Sequence, residues 1–587
     1  MGLSTVSVQK QGTETQFRHE RIMKIMAKVH EMFGALNNNV TDPRTRRYIE
    51  PKRIVYTQGK VMTPEVFLTP CPNQIIFHPE RDVWMENKPG QPHAAVLVDF
   101  GIEFSGCLRL LVRGVKGPEK NKVNIRVRLG ESVMEALTPI GVKNTTNDHA
   151  NRDIEMSVSG MSANETNESG FRFAYIELLD EDAGISFHGV KGVFCYRDLE
   201  YKGSFECSDE RLNKIWQTAA YTVHLNMQEY LWDGIKRDRL VWIGDMHTEV
   251  QTVLSVFGNQ DIIKESLDLT RNDTPVELWM NNIPTYSLWW LLMHHDLYRQ
   301  TGDVDYLMEQ KDYMIALTKR LLPLVKDNGA EDTPEHRFLD WPNSTNPEAK
   351  HAGIHAMLKM TFDSCADMLR VFGEDALADE CAAKAALMTT YLPDPNGSKQ
   401  AAALLALAGI ADPKKINDEV IAPGGGHGYS TFFGYYILAA KALAGDFEGA
   451  LNDIKEYWGA MLDLGATTFW EDFNLDWVEN SAPIDEIVPE GKNDIHGDFG
   501  AYCYTLFRHS LCHGWSSGPC PYMMHYVLGI KALDANTYEI DPELANLDWA
   551  KGTYPTDKGI ISVSARKTPE GTLVEVSAPE GIKIVRR

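Results

Sequence analysis

Two stretches, far apart in the chain, concentrate the residue types that move protons. The first runs Asp233-Gly-Ile-Lys-Arg-Asp-Arg-Leu-Val-Trp-Ile-Gly-Asp245 and continues to His247 and Glu249. It sets Asp233, Asp238 and Asp245 among Lys236, Arg237 and Arg239, with Trp242 in the same run and Gly234 permitting a tight turn. A salt-bridged surface loop would carry the same charges. Leu240 and Trp242 point instead to partial burial, and a buried acid beside an arginine must be paired or have its pKa displaced. A carboxyl displaced toward neutrality is what a general acid needs. The second stretch, Leu464-Gly-Ala-Thr-Thr-Phe-Trp-Glu-Asp-Phe-Asn-Leu-Asp-Trp477, delivers Glu471 between Trp470 and Phe473, with Asp472 and Asp476 close behind. A buried aromatic helix start would read the same way. Together the two stretches supply a pair of carboxylates, the requirement of glycoside hydrolysis, and an inverting enzyme holds such a pair about 6.5–9.5 Å apart to admit a water.

Other motifs carry less. His509 and His513 form His-x-x-x-His, as do His351 and His355, but the glutamate of a zinc hydrolase is missing and no third ligand is evident. No metal and no cofactor is expected, and His513 reads as a residue that contacts substrate, orients a carboxylate or packs in a core. Pro423-Gly-Gly-Gly-His-Gly-Tyr429 follows no clear strand and lacks the Gly-Lys-Ser/Thr of a phosphate loop, so it reads as a flexible loop near a cleft. Trp341, in Phe338-Leu-Asp-Trp-Pro-Asn343, is an aromatic platform or a core anchor. No Gly-x-Ser-x-Gly elbow is present.

The surrounding pattern says what must position these residues. Residues 1–50 read as an N-terminal extension with a helix-like stretch from Arg21 to Met32. From 51 to 203, short β-type runs (94–101, 108–115, 123–130 and 171–178) alternate with turn residues and predict a β-sandwich, the polar stretch Asn144–Asp153 being an exposed loop. From 204 to 535 helical patterns recur, opened by the N-cap types Ser208 and Asp209, and several end in glycine. About a dozen helices at this length suit a closed double ring of helix hairpins, and 536–587 returns to β patterning. The chain's 587 residues allow two or three domains. Its net charge of −24 argues against nucleic acid and anionic membranes as partners, and no run of 18 apolar residues predicts a membrane span. Nine scattered cysteines without a paired motif fit a reducing compartment. The first residues lack an apolar leader, so the chain reads as cytoplasmic, or periplasmic if a leader has been trimmed.

At these residues the chain resembles the bacterial α-L-rhamnosidases of glycoside hydrolase family 78. The resemblance runs from about Ala94 to Leu533 and rests on four motifs in order: 199–213, 233–245, Gly465-Ala-Thr-Thr-Phe-Trp-Glu471, and Ser510-Leu-Cys-His513. It implies an (α/α)6 barrel catalytic domain behind an N-terminal β-sandwich, with a short C-terminal β segment, and release of terminal α-L-rhamnose with inversion. Carried onto this chain, it makes Asp238 the general acid and Glu471 the general base. Asp233, Arg237, Trp242, Asp245 and His513 hold the sugar, with Trp341 as a wall of the pocket. The expected partner is a carbohydrate, and a homo-oligomer is left open. Three departures stand out. The family's acid is usually Glu where this chain has Asp238, a methylene shorter; Gly234-Ile235 replaces Cys-Pro; and Tyr286-Ser-Leu-Trp289 stands where the family tends to Trp-Gly-Asp. A related glycosidase for another sugar and a silent carbohydrate-binding homologue are the alternatives. The segment Ile484–Gly500 is a further candidate for pocket residues.

Overall fold

The computed structural model describes residues 42–77, 81–334 and 336–586; the helix-like stretch Arg21–Met32 lies outside them. The first part of the described chain, up to Tyr196, is built on strand β1 (Ala95–Lys116). The runs 94–101 and 108–115, read from sequence as two strands, are one. Gly101 takes a positive φ and the register slips between Asp99 and Phe104, so the strand bulges but keeps pairing beyond the interruption. β2 (Lys122–Gly130), β3 (Ser169–Leu178) and β4 (Gly184–Tyr196) flank it. β1 pairs antiparallel with β3 (Val96 opposite Ile176) and with β4 (Leu110 opposite Val190), and β3 pairs with β2 (Ile176 opposite Val127). These four belong to a ten-stranded sheet among the described residues. Its buried side chains, Val96, Val98, Leu110, Ile125, Val127 and Ile176 among them, form a core of their own. A short helix, α1 (Val133–Leu137), follows β2 and is capped by the Ser132 hydroxyl.

Beyond Tyr196 the period changes from two to 3.6. α2 (Glu210–Asn226) starts on Asp209, whose carboxylate accepts the Arg211 and Leu212 amides. Helices buried on every side then alternate with helices buried on one face. All of α3 (Met246–Val256) is buried, whereas α4 (Asp261–Asp273) buries only a stripe of Ile262, Ile263, Ser266, Leu267 and Thr270. α5 (Pro284–Thr301) and α6 (Pro347–Val371) are largely buried, whereas α7 (Asp375–Thr389) buries Ala378, Cys381, Ala385 and Met388. α8 (Lys399–Leu407) and α9 (Gly434–Leu443) are again buried almost throughout, and α10 (Phe447–Asp463) is amphipathic. A helix without a polar face must be covered by others, so this alternation makes inner and outer layers.

The tail pairs back to the start of the helical region. β5 (Ser204–Cys207) lies antiparallel to β6 (Trp549–Thr556), which pairs with β7 (Gly559–Thr568), and that with β8 (Gly571–Ser577). Tyr554, Ile561 and Val563 join the helical core. The described residues from Thr45 onward form one unit by their contacts. Among the described residues, no helix is long and apolar enough to cross a membrane.

Candidate active site

The loop between α2 and α3 is clamped on three sides. Strand β3 approaches so closely that a Cβ on Gly170 would meet the Lys236 amide nitrogen at 2.8 Å, and the Gly170 N–H donates to the Ile235 carbonyl. Lys236 is buried, its ammonium 3.0 Å from Glu131, 3.2 Å from Glu135 and 2.5 Å from the His509 carbonyl. Gly234 bridges to His513, and the Gly514 N–H donates to the Asp233 carbonyl. Gly234 serves close approach rather than a left-handed turn: its φ is not positive, and a Cβ there would lie 2.6 Å from the Arg237 carbonyl oxygen. Leu240, expected to be partly buried, is half exposed. Its N–H is drawn inward to Asp233 Oδ1 at 3.0 Å while the side chain turns out.

The second loop is held by both halves of the molecule. Arg172 of β3 pairs with Asp99 of β1 and donates to the Gly465 carbonyl, and Thr467 Oγ1 accepts the Glu103 N–H. Thr431 Oγ1 and Trp515 Nε1 both donate to the Glu471 carbonyl oxygen, which leaves the carboxylate facing inward.

These supports bring the eight residues given catalytic or sugar-binding roles by the resemblance to one cavity of about 510 Å³. It is lined by Asp233, Arg237, Asp238, Trp242, Asp245, Trp341, Glu471 and His513, with Tyr286, Phe338, Tyr504 and Trp515 among its walls. Arg237 joins the two candidate catalytic carboxylates: Nη2 lies 2.7 Å from Glu471 Oε2 and Nη1 lies 3.0 Å from Asp238 Oδ1. Asp238 Oδ2 accepts Trp242 Nε1 at 3.1 Å, so the shorter acid is fixed at both oxygens. Glu471 Oε2 also accepts the Ser510 N–H at 3.0 Å. Asp233 accepts the N–H groups of Asp238 and Leu240, and Asp245 accepts the Tyr286 hydroxyl at 2.8 Å. The side chains of Glu471 and Asp233 are each 2% exposed, whereas that of Asp238 is 19% exposed.

Burial and mutual repulsion dominate the electrostatics. Burial, aided by the charge of Asp238, pushes Asp233 up to about 7. Burial and Asp233 push Asp245 well above the usual carboxylate range. Burial also raises Glu471, against the pull of Arg237 and the Ser510 amide. His513 Nε2 stands 3.6 Å from Glu471, 3.8 Å from Asp233 and 3.9 Å from Asp245. Burial and the nearby guanidinium push its pKa well below the ordinary value, so it meets them as a neutral imidazole. Beneath the site, buried Glu249 has neither oxygen hydrogen-bonded and is raised by burial and by Asp245. A cluster of acids served by one bridging guanidinium is an arrangement for proton transfer.

Residues 200–408 match the model of the bacterial alpha-L-rhamnosidase 6 hairpin glycosidase domain. Over that stretch the chain is similar to that family's domain. An alpha-L-rhamnosidase of Alteromonas sp. (strain LOR) is 24% identical over 83% of this chain and 55% of its own length. One from Formosa agariphila is 21% identical over 57% of this chain and 40% of its own. The chain thus spans about half the length of the curated relatives it matches. Among solved structures, the family 78 rhamnosidase of Bacillus sp. GL1 aligns with TM-score 0.71 at 21% identity, over 89% of this chain and 56% of that one. The rhamnosidase of Klebsiella oxytoca aligns with TM-score 0.65 at 19% identity, over 82% and 95%. These likenesses agree with a mixed α and β fold of several parts.

Several rhamnosidase-family expectations change in detail. Trp341 is a wall of the cavity: its ring stacks on Tyr502, and its Nε1 donates to the Tyr504 hydroxyl at 2.7 Å. Tyr504 and Arg508 were not foreseen, although Arg237 lies over the Tyr504 ring and donates Nε to the Arg508 carbonyl. They sit in an irregular loop that no periodicity marks. Pro423–Tyr429 does not line the cavity; Lys399 and Glu456 hold it through Gly425 and Gly426. Ile484–Gly500 lies outside the lining as well. His351 pairs with Glu331, and His355 contacts the Met388 carbonyl. The exposed loop Asn144–Asp153 reaches the site: His149 Nε2 is 3.3 Å from Asp238 Oδ1.

Proposed function

We propose that this protein is an inverting glycoside hydrolase that releases terminal α-L-rhamnose from oligosaccharides or glycoconjugates. The observation that carries the reading is the Arg237 bridge. Because one rigid guanidinium touches both carboxylates, their facing oxygens stand about 8 Å apart at most. That upper limit is compatible with the about 6.5–9.5 Å of an inverting carboxyl pair, which admits a water between its members, and the anomer formed first separates it from the about 5–5.5 Å of a retaining pair. Asp238, the more exposed of the two, protonates the leaving oxygen, and Glu471, deep in the cavity with Arg237 and the Ser510 amide opposing the effect of burial on its carboxyl, takes the proton of the attacking water. Asp233, Asp245 and neutral His513 read sugar hydroxyls, with Trp242 and Trp341 as apolar walls. The alternation of buried and amphipathic helices supports a closed (α/α)6 barrel as the catalytic domain, with the β1–β4 sheet as part of an N-terminal sandwich.

The test is direct. Proton NMR during hydrolysis of 4-nitrophenyl α-L-rhamnoside is expected to show β-L-rhamnose first, with the α anomer appearing only by mutarotation. First-formed α-L-rhamnose would exclude inversion. A second reading, a glycosidase for another sugar, draws on Tyr286, which fills the family's Trp-Gly-Asp position and ties up Asp245. Turnover of a different aryl glycoside with none of the rhamnoside would favour it.

A further inference from the structure

Asp238 has two sides. Trp242 and Arg237 hold it toward the cavity, and His149 meets it from outside, 3.3 Å away with a side chain 32% exposed. His149 also lines a second cleft, of about 460 Å³, together with the loop at 147–151, the segment Asn167–Glu168 and Arg239. A general acid gives its proton to the leaving group, and Glu471 lies at the buried end. The group that departs must therefore lie on the exposed side of Asp238, where this cleft is. We propose that the cleft is the leaving-group site and that it takes a hydroxyl-rich sugar ring in preference to a flat aromatic aglycone. The inference rests on the assignment of Asp238 as the acid.

The lining carries the chemistry. Its side chains are two amides with no hydrogen bond to another described residue (Asn151 and Asn167), together with an imidazole, a carboxylate, a guanidinium, Ala150 and Asn147. Amides donate and accept at once, which is what vicinal hydroxyls need. No Phe, Tyr or Trp lies in the lining, so a flat aglycone would find no ring larger than the His149 imidazole to stack on. The site is also preformed. Asn147 is used up inside the loop, accepting the Arg152 and Asp153 N–H groups and donating to the Asp153 carbonyl. Arg239 lies over the Trp232 ring at 4.8 Å and donates to the Glu168 carbonyl.

The experiment compares kcat/KM on a set of α-L-rhamnosyl disaccharides of different linkage with kcat/KM on 4-nitrophenyl α-L-rhamnoside. It uses the wild type, the double variant Asn151→Ala/Asn167→Ala, and Asn151→Trp. Loss of two amides at about 0.5–1.5 kcal/mol each is expected to lower the disaccharide-to-aryl ratio about tenfold, chiefly through the disaccharide KM. Asn151→Trp, which supplies a ring, lowers the ratio by favouring the aryl substrate. An unchanged ratio in both variants, or a wild type that cleaves the aryl rhamnoside but none of the disaccharides, overturns the leaving-group site and leaves the hydrolase reading standing. A wild type inactive on both overturns the hydrolase reading, and this inference with it.

Discussion

Two cavities of nearly equal volume lie against α3 and α5, the active-site cavity of about 510 Å³ and another of about 500 Å³. Asp245, the residue before α3, lines the former while His247 and Gln251 of α3 line the latter; in α5, Tyr286 lines the former and Trp289 and Asp296 the latter. Both are walled by aromatic rings, so size and apolar lining do not tell them apart. Their charges do. In the second cavity Asp296 accepts His247 Nε2 at 3.1 Å and Gln251 Nε2 at 3.0 Å. Burial would raise its pKa, but the hydrogen bonds from His247 and His295 outweigh that and hold it well below the ordinary carboxylate range. There the donors outnumber the acid. In the active site four acids face one bridging guanidinium, that of Arg237, and a neutral imidazole, and burial raises the pKa values of Asp233, Asp245 and Glu471. A cavity able to exchange protons near neutrality is recognised by that deficit of positive charge.

The largest effect that could break this contrast is at Glu471. Glu471→Gln keeps the shape and removes the base, and kcat on an aryl rhamnoside is expected to fall at least 10³-fold, while Asp296→Asn changes it by less than about twofold. Comparable losses in the two variants would remove the distinction between the cavities. Next in size is Asp238→Asn. It is expected to cost about 10²–10³-fold on a disaccharide, whose leaving group needs the proton, and much less on a 2,4-dinitrophenyl glycoside, whose leaving group does not. Equal losses on both substrates would count against Asp238 as the acid.

How much of this was legible in the sequence follows from which interactions are local. Asp233, Asp238, Trp242 and Asp245 lie within one short loop, and Glu471 sits in a turn of recognisable composition, so residue types and spacing sufficed to single them out. The helical half was legible as well, because a 3.6-residue period and caps such as Asp209 are short-range signals. Contacts at long range were hidden. Tyr504 and His149 come to the site from loops more than 80 residues along the chain from Asp238, and polar loops of this kind resemble ordinary surface. The break between the runs 94–101 and 108–115 looked like a turn because a bulge around Gly101 interrupts the alternation without ending the strand. Leu240 misled for a similar reason: its backbone is claimed by Asp233 and its side chain is not.

Arg237 offers a sharper test of what keeps Glu471 ionised. The guanidinium lowers the Glu471 pKa against the effect of burial, so Arg237→Met must raise it. The acidic limb of the kcat/KM profile, below which the base is protonated, is expected to move by about one pH unit toward alkaline pH, on top of any loss of rate. A limb that stays in place would transfer that role to the Ser510 amide alone.

The smallest effect lies in the second cavity and concerns stability. A carboxyl whose folded pKa is depressed contributes stability above its unfolded value, about 3.9, and loses it as the pH falls toward the folded one. Asp296→Asn should therefore lower the melting temperature at pH 7, and the difference should shrink progressively as the pH falls below about 4 toward the depressed folded pKa. Because the Asp296 side chain is 35% exposed, solvent screens the pairing and the difference at pH 7 is about 1 kcal/mol at most. Active-site Asp233 has the opposite sign. Its folded pKa of about 7 makes the wild type lose stability as the pH rises from about 4 toward 7, so any penalty of Asp233→Asn shrinks over that interval. Melting curves of both variants at pH 2, 4 and 8 read the two slopes, that of Asp296 below about pH 4 and that of Asp233 between about 4 and 7. Parallel slopes would mean that the cavities do not differ in how they hold their protons.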